Sequence, residues 1–205
     1  GKNFAYHCSH LRLLHGERVV EVGQQKTGKG LSLVTADALL TVSNPEQQLL
    51  SLVVGDCFPL VFFDQKTENF ALIHAGRKSL SLGIVAKTVS KLLALPAVKV
   101  ANLRVWLGPG IRKESYWIPI EPEQRVLPDW QDFIQRQEGS WQIDLPGFII
   151  WQLLELGLGR EQILDSGLDT YQLQEQFFSH RRAMEGEDQE DGRFLLAAFL
   201  PQRKN

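Results

Sequence analysis

The chain has 205 residues, of which 43% are hydrophobic, so it can bury the core of one domain. Its 22 basic and 24 acidic residues give a formal net charge of −2, which argues against nucleic acid and anionic membranes as partners. No apolar run approaches the roughly 20 residues that cross a bilayer. We therefore predict one domain over residues 1–205 of a cytoplasmic monomer or homodimer, with residues 1–12 frayed.

Strand patterns dominate the first half of the chain. Short runs of β-branched, aromatic or other apolar residues are bounded by Gly, Pro, Asn or Asp, which is typical of buried strands. The predicted strands are Arg18 to Val22, Ala38 to Val42, Leu49 to Val54, Leu60 to Phe63 and Phe70 to Ile73.

Helical and strand patterns alternate in the second half. Ser79 to Leu95 has apolar residues at helical spacing, and Pro96 predicts its end. A strand follows at Leu103 to Leu107, a helix at Leu145 to Leu156 and a closing strand at Phe194 to Leu200. Because strands and helices are interleaved, we predict an α/β (or α+β) fold with a mixed sheet flanked by helices.

A thiol and an acid interrupt two very apolar predicted strands at Asp56 and Cys57. Further along, a predicted strand ends at His74, and His15 precedes the strand that begins near Arg18. Two imidazoles and one thiolate would leave one position of a tetrahedral zinc ion open, which is the pattern of a catalytic zinc site. His15, Cys57 and His74 are therefore a candidate metal centre.

The same side chains permit two other interpretations. His74 could deprotonate Cys57 so that the thiolate attacks a carbonyl or amide carbon. Alternatively, Cys57 could be a small buried apolar residue without chemistry. The residues alone leave these alternatives open.

Cationic and aromatic side chains supply a second candidate site. Arg77 and Lys78 lie just before a predicted helix and would suit a phosphate or carboxylate, although they could equally be solvated surface cations. Phe178 and Arg181 belong to a segment able to stack on a flat heterocycle and to bind an anion.

Short motifs follow one another in a fixed order from about His15 to Leu200. They are His15-Gly16, Ala36-Asp37-Ala38-Leu39, Asp56-Cys57-Phe58-Pro59, His74-Ala75-Gly76, Gly108-Pro109-Gly110-Ile111, Phe177-Phe178-Ser179 with Arg181-Arg182, and Gly192-Arg193. This ordered set resembles the polyphenol oxidase or laccase-like family, whose members are also called peptidoglycan editing factors. The resemblance covers nearly the whole chain.

The resemblance implies a fold that is also similar to the catalytic domain of cytotoxic necrotising toxins, and a zinc ion held by His15, Cys57 and His74. It implies phosphorolysis of adenosine, inosine, guanosine or methylthioadenosine, and deamination of adenosine, with Cys57 and His74 at the catalytic centre. The partners would be a purine nucleoside and phosphate. The older laccase label implies copper, but this ligand set suits zinc better. The candidates for holding phosphate are Arg77, Lys78, Arg181 and Arg193, and Phe178 is the candidate for contacting the purine.

The chain departs from the family pattern at several pocket positions. Where relatives have Trp-Arg-Gly after His-Ala-Gly, this chain has Arg77-Lys78-Ser79, and the tyrosine after Phe-Phe-Ser is His180. The metal ligands are retained while several pocket residues are not, so either a changed choice of substrate or feeble turnover is expected. Two further hypotheses stay open: a cysteine hydrolase or deamidase that uses Cys57 and His74, and a degenerate protein that binds metal or nucleoside without turnover.

Overall fold

The structure is a computed structural model that describes residues 6–23, 30–42, 47–187 and 190–201. These residues form thirteen strands and four α-helices. The predicted α/β class is confirmed, but the strands are divided among three sheets rather than one.

The elements are numbered in chain order. The strands are β1 (His7–Arg12), β2 (Val19–Val22), β3 (Gly30–Thr35), β4 (Ala38–Thr41), β5 (Gln48–Val54), β6 (Phe58–Asp64), β7 (Phe70–Ala75), β8 (Leu103–Leu107), β9 (Trp117–Ile118), β10 (Ile134–Gln137), β11 (Ser140–Ile143), β12 (Ile163–Asp165) and β13 (Phe194–Phe199). The helices are α1 (Arg77–Ser81), α2 (Ile84–Leu93), α3 (Leu145–Glu155) and α4 (His180–Met184).

A six-stranded mixed sheet, with the order β12-β8-β6-β7-β4-β2, forms the middle layer. Because side chains alternate across a strand, its residues divide between two cores. Leu40 and Ile73 pack into a core shared with α2 and α3. Leu39 and Leu72 face the opposite way, against the second sheet. The middle sheet is therefore buried on both faces.

The second sheet has four strands in the order β13-β5-β1-β3. Strand β1 lies inside it, parallel to both β3 and β5. The prediction that residues 1–12 are frayed is therefore wrong for His7–Arg12, and residues 1–5 lie outside the described part of the chain. Leu11 is buried in the core between the two sheets, which explains why this polar segment is fixed.

The helical region after His74 differs from the prediction of one helix over Ser79 to Leu95. It consists of α1 and α2, which are separated at Gly83, where φ is +83°. A left-handed residue cannot continue an α-helix, so the chain changes direction there. Helix α3 agrees closely with its prediction. Its start is fixed by the Asp144 carboxylate, which caps the helix by accepting from the Gly147 amide at 2.7 Å.

A three-stranded antiparallel sheet, with the order β10-β11-β9, completes the fold. Within the described residues, no helix combines the length and the apolar character that crossing a membrane requires.

Candidate metal centre

Strand order brings the candidate ligands to one edge of the six-stranded sheet. Strands β4 and β6 both run antiparallel to β7, so they begin where β7 ends. His74 near the end of β7 pairs with Pro59 of β6, which places Cys57, just before β6, beside it. Strand β2 runs parallel to β4, and the turn that contains His15 leads into β2 at this same edge.

The side chains of His15, Cys57 and His74 converge on one point. Their ligand atoms all lie within 4.8 Å of one another. The two imidazole rings are 4.8 Å apart between centroids and nearly perpendicular, at 87°. His74 is buried, Cys57 is half-buried and His15 is exposed, so the group opens to solvent on one side. Such a group can hold a metal ion and leave a coordination position accessible.

Asp37 fixes two of these three ligands. Its Oδ1 atom lies 3.1 Å from Nδ1 of His74, and its carboxylate accepts backbone hydrogen bonds from His15 and Gly16, each at 2.8 Å. His15 has a φ of +56°, in the left-handed region, and these amide contacts hold that turn in place. A carboxylate behind a metal-binding imidazole sets which nitrogen faces the ion.

The electrostatics of the group favour an ionised thiol. Burial opposes ionisation of Cys57, but the imidazoles of His74 and His15 outweigh it and lower the pKa of the thiol to about 6. Burial likewise disfavours the imidazolium of His74, but the Cys57 thiolate and the Asp37 carboxylate raise its pKa to about 9. Burial alone would raise the pKa of Asp37, but its hydrogen bonds from His74 and the turn amides lower it.

Asp56 joins the Cys57 segment to two later parts of the chain. It is buried, and its φ of +86° is unusual for a residue other than glycine. Its Oδ1 accepts from the Thr170 hydroxyl at 2.7 Å, and its Oδ2 accepts from the backbone amide of Arg181 at 2.6 Å. The start of α4 is thereby tied to the residue that precedes the candidate metal ligand.

The backbone at Gly76 passes close to the thiol of Cys57. A Cβ atom at this position would lie 2.7 Å from Sγ of Cys57, closer than such atoms can approach. Glycine is therefore required here because the chain passes directly against the sulfur. Arg77 is the next residue, so its guanidinium group is carried by the chain immediately after the candidate metal group.

A cavity of about 560 Å³ is lined by Arg77, Arg181 and the segment 118–123. Its two arginines connect it to the metal group, because Arg77 follows the glycine that lies against Cys57 and the amide of Arg181 donates to Asp56. Nη1 of Arg77 and Nε of Arg181 are buried and have no hydrogen-bond partner within the described residues. The Arg181 guanidinium also lies over the ring of Tyr116, 5.6 Å from its centroid. Two buried cationic donors without partners are suited to an anion that enters the cavity.

The other predicted binding residues lie outside the lining of this cavity. Lys78 is exposed on α1. Phe178 is 42% exposed and lies against the backbone of Gly192, and Arg193 is paired with Asp191. The roles proposed for these three side chains stay predictions.

Sequence patterns marked Asp56 only as an acid beside Cys57 and gave Asp37 no role at the site. Asp37 is fully buried at the start of an apolar strand, where an unpaired carboxylate would be costly. That mismatch between residue type and burial is a signal that it has a partner, although the partner is visible only once the strands are paired.

Comparison with known proteins gives consistent matches along the chain. Residues 3–200 match the family described as multi-copper polyphenol oxidoreductase laccase. A purine nucleoside phosphorylase of Synechocystis is 30% identical over an alignment of 207 positions, which covers 89% of this chain and 77% of the relative. A purine nucleoside phosphorylase of Xylella fastidiosa is 27% identical over an alignment of 203 positions, which covers 93% of this chain and 71% of the relative. The crystal structure of the hypothetical protein YfiH from Bacillus licheniformis superposes with a TM-score of 0.78 at 27% identity. The superposition covers 95% of this chain and 74% of the other.

Proposed function

The chain belongs to the multi-copper polyphenol oxidoreductase laccase family, and from that premise we propose that it is a zinc-dependent purine nucleoside phosphorylase that also deaminates adenosine. The relatives from Synechocystis and Xylella fastidiosa carry the phosphorylase name. The observation that carries the proposal is the juxtaposition of a candidate metal group and a cavity with two buried guanidinium nitrogens that have no hydrogen-bond partner among the described residues.

The donor atoms favour zinc as the metal. His15, Cys57 and His74 supply two imidazole nitrogens and one sulfur, a set that suits zinc well. They are the single cluster of three or more potential metal ligands found among the described residues, whereas a multicopper centre needs many histidines. A zinc ion bound here would supply Lewis-acid chemistry beside the cavity.

The chain's own residues would bind and orient the reactants. Arg77 and Arg181 would hold phosphate through the two nitrogens that have no partner in the part of the chain that the structure describes. In phosphorolysis, a phosphate oxygen bonds to C1′ of the ribose while the bond from C1′ to the purine nitrogen breaks. The base leaves with that electron pair and is protonated, and ribose 1-phosphate is the second product. In deamination, water replaces the amino group at C6 of adenine, and ammonia is released.

One experiment tests the metal and both reactions. Protein purified without added metal is analysed for zinc and copper, then incubated with adenosine in the presence and absence of phosphate. We expect about one zinc per chain, adenine and ribose 1-phosphate only when phosphate is present, and inosine in either case. A zinc-loaded protein that leaves adenosine, inosine, guanosine and methylthioadenosine unchanged would overturn the proposal. His15→Asn should lose metal and products, and His10→Asn on β1 is the matched control.

A cysteine hydrolase is the second candidate. In it, Cys57 would be the nucleophile and His74, which contacts the thiol, would be the base. Asp37 contacts the other side of the His74 ring and would orient it. This candidate requires a metal-free active protein. Rapid alkylation of Cys57 in the protein as purified, together with turnover of amide or ester substrates that zinc inhibits, would favour it over the phosphorylase.

A further inference from the structure

The cavity beside the metal group contains charges of both signs. Arg77 and Arg181 contribute guanidinium groups, and the segment 118–123 contributes the carboxylates of Glu121 and Glu123. The acids do not accept hydrogen bonds from Nη1 of Arg77 or Nε of Arg181, because neither nitrogen has a partner in the described parts of the chain. The cavity therefore offers strong donors and strong acceptors at the same time.

This mixture is poorly suited to phosphate alone. Two carboxylates in the lining would repel a free anion, whereas a ligand with hydroxyl groups next to a phosphate would satisfy both kinds of side chain. An ionised carboxylate only accepts hydrogen bonds, so its partner must donate. Sugar hydroxyls donate, and the ribose of a nucleoside carries one at C2′, next to the C1′ atom attacked in phosphorolysis, and another at C3′.

We propose that Glu121 and Glu123 bind the 2′- and 3′-hydroxyls of ribose, so that the cavity holds the ribose and the phosphate that combine as ribose 1-phosphate and selects ribose over 2-deoxyribose. This inference rests on the proposed function and adds the specificity-determining residues. Glu121 and Glu123 accept from the sugar, while Arg77 and Arg181 bind the phosphate on the other side of the same ligand.

The segment that carries the two acids is held in shape before a ligand binds. Ile118 is paired in the sheet with Trp141 and is 8% exposed. Pro119 and Pro122 fix backbone torsions in the segment. The side-chain amide of Gln124 donates to Oε1 of Glu123 at 3.0 Å, which restrains that carboxylate. A restrained acceptor loses less entropy on binding, which favours discrimination between sugars.

Direct binding separates this inference from the enzymatic activity. Calorimetry on the zinc-loaded protein compares ribose 1-phosphate, 2-deoxyribose 1-phosphate and inorganic phosphate. We expect ribose 1-phosphate to bind about tenfold more tightly than the deoxy compound. In the double variant Glu121→Gln and Glu123→Gln, that ratio should fall toward one while inorganic phosphate binds at least as tightly. Arg77→Gln should weaken inorganic phosphate and both sugar phosphates.

Glu155→Gln, at the exposed end of α3, is the matched control and should keep the wild-type ratio. Melting temperatures of all variants show whether each is folded. An unchanged ratio in the double variant, or a wild-type protein that does not distinguish the two sugar phosphates, would overturn the inference. A change in guanosine over inosine preference without a change in the sugar ratio would also overturn it, because the acids would then contact the base. If the sugar ratio behaves as expected but no nucleoside is cleaved, the inference stands and the proposed function fails.

Discussion

The carboxylate of Asp37 lies 3.1 Å from Nδ1 of His74 and is completely buried. The same carboxylate binds the backbone amide of His15 at 2.8 Å, so one side chain outside the candidate ligand set controls two members of it. Hydrogen bonds of this kind fix the orientation of the ligand side chains in the metal-free protein, which favours metal binding.

Asp37→Asn should weaken zinc binding without removing a ligand. The amide keeps the size of the carboxylate but loses its charge, so the His74 imidazole becomes a poorer ligand and the turn at His15 is held less firmly. We expect zinc affinity to fall about 10- to 100-fold, measured by competition with a chromophoric chelator. Asp132→Asn, an exposed change of the same chemistry, is the control. Equal affinities of the two variants would contradict the role of Asp37.

Gly76→Ala should disturb the same centre through shape alone. The new methyl group would meet Sγ of Cys57 at 2.7 Å, so either the thiol or the strand end must move. Zinc affinity should therefore drop while every ligand is retained. Gly30→Ala is the control, because its nearest new contacts, with His7, are at an ordinary 3.6 Å. Retention of wild-type zinc affinity by folded Gly76→Ala protein would show that the backbone does not constrain the sulfur.

In the metal-free protein, the alkylation rate of Cys57 should rise with pH over a lower pH range than that of an ordinary thiol. Thiolate is the reactive form, and a pKa of about 6 rather than 9.0 means that it predominates at neutral pH. We expect the iodoacetamide rate, followed by mass spectrometry, to reach half its maximum near pH 6. His74→Asn should move this midpoint upward, because the imidazolium that stabilises the thiolate is lost.

Zinc should suppress the alkylation by occupying the sulfur, and Cys57→Ser identifies any labelling of Cys8. A midpoint in the range of an ordinary thiol would mean that the histidines do not stabilise the thiolate in solution.

Sequence patterns suggest the candidate ligands but not the residues that support them. Cys57 and His74 lie at the ends of apolar predicted strands, and the residues alone leave other interpretations open, so the resemblance to the laccase-like family is needed to join them with His15 as one metal group. Asp37 reaches His74 only because β4 and β7 pair in a particular register, with Ala38 opposite Ile73. Register depends on contacts between distant segments, which local patterns do not specify.

Strand β1 illustrates a second limit. Its sequence, His7–Arg12, is mostly polar and therefore suggests a loose terminus. In the structure, the backbone hydrogen bonds to β3 and β5 fix it, and both partners occur later in the chain. Fixation by neighbours of this kind overrides a weak intrinsic preference for strand structure.

Gly83→Ala distinguishes the predicted single helix from the observed break between α1 and α2. In an uninterrupted helix, the change would stabilise the protein by about 1 kcal/mol, because alanine is the better helix former. In the structure, Gly83 has a φ of +83° and open space around its Cβ position, so an alanine meets no neighbour but must adopt a left-handed backbone. We expect the free energy of unfolding to fall by about 1–2 kcal/mol, measured by urea denaturation. Zinc affinity should not change, since no ligand contacts this position. A gain in stability would mean that the two helices are continuous in solution.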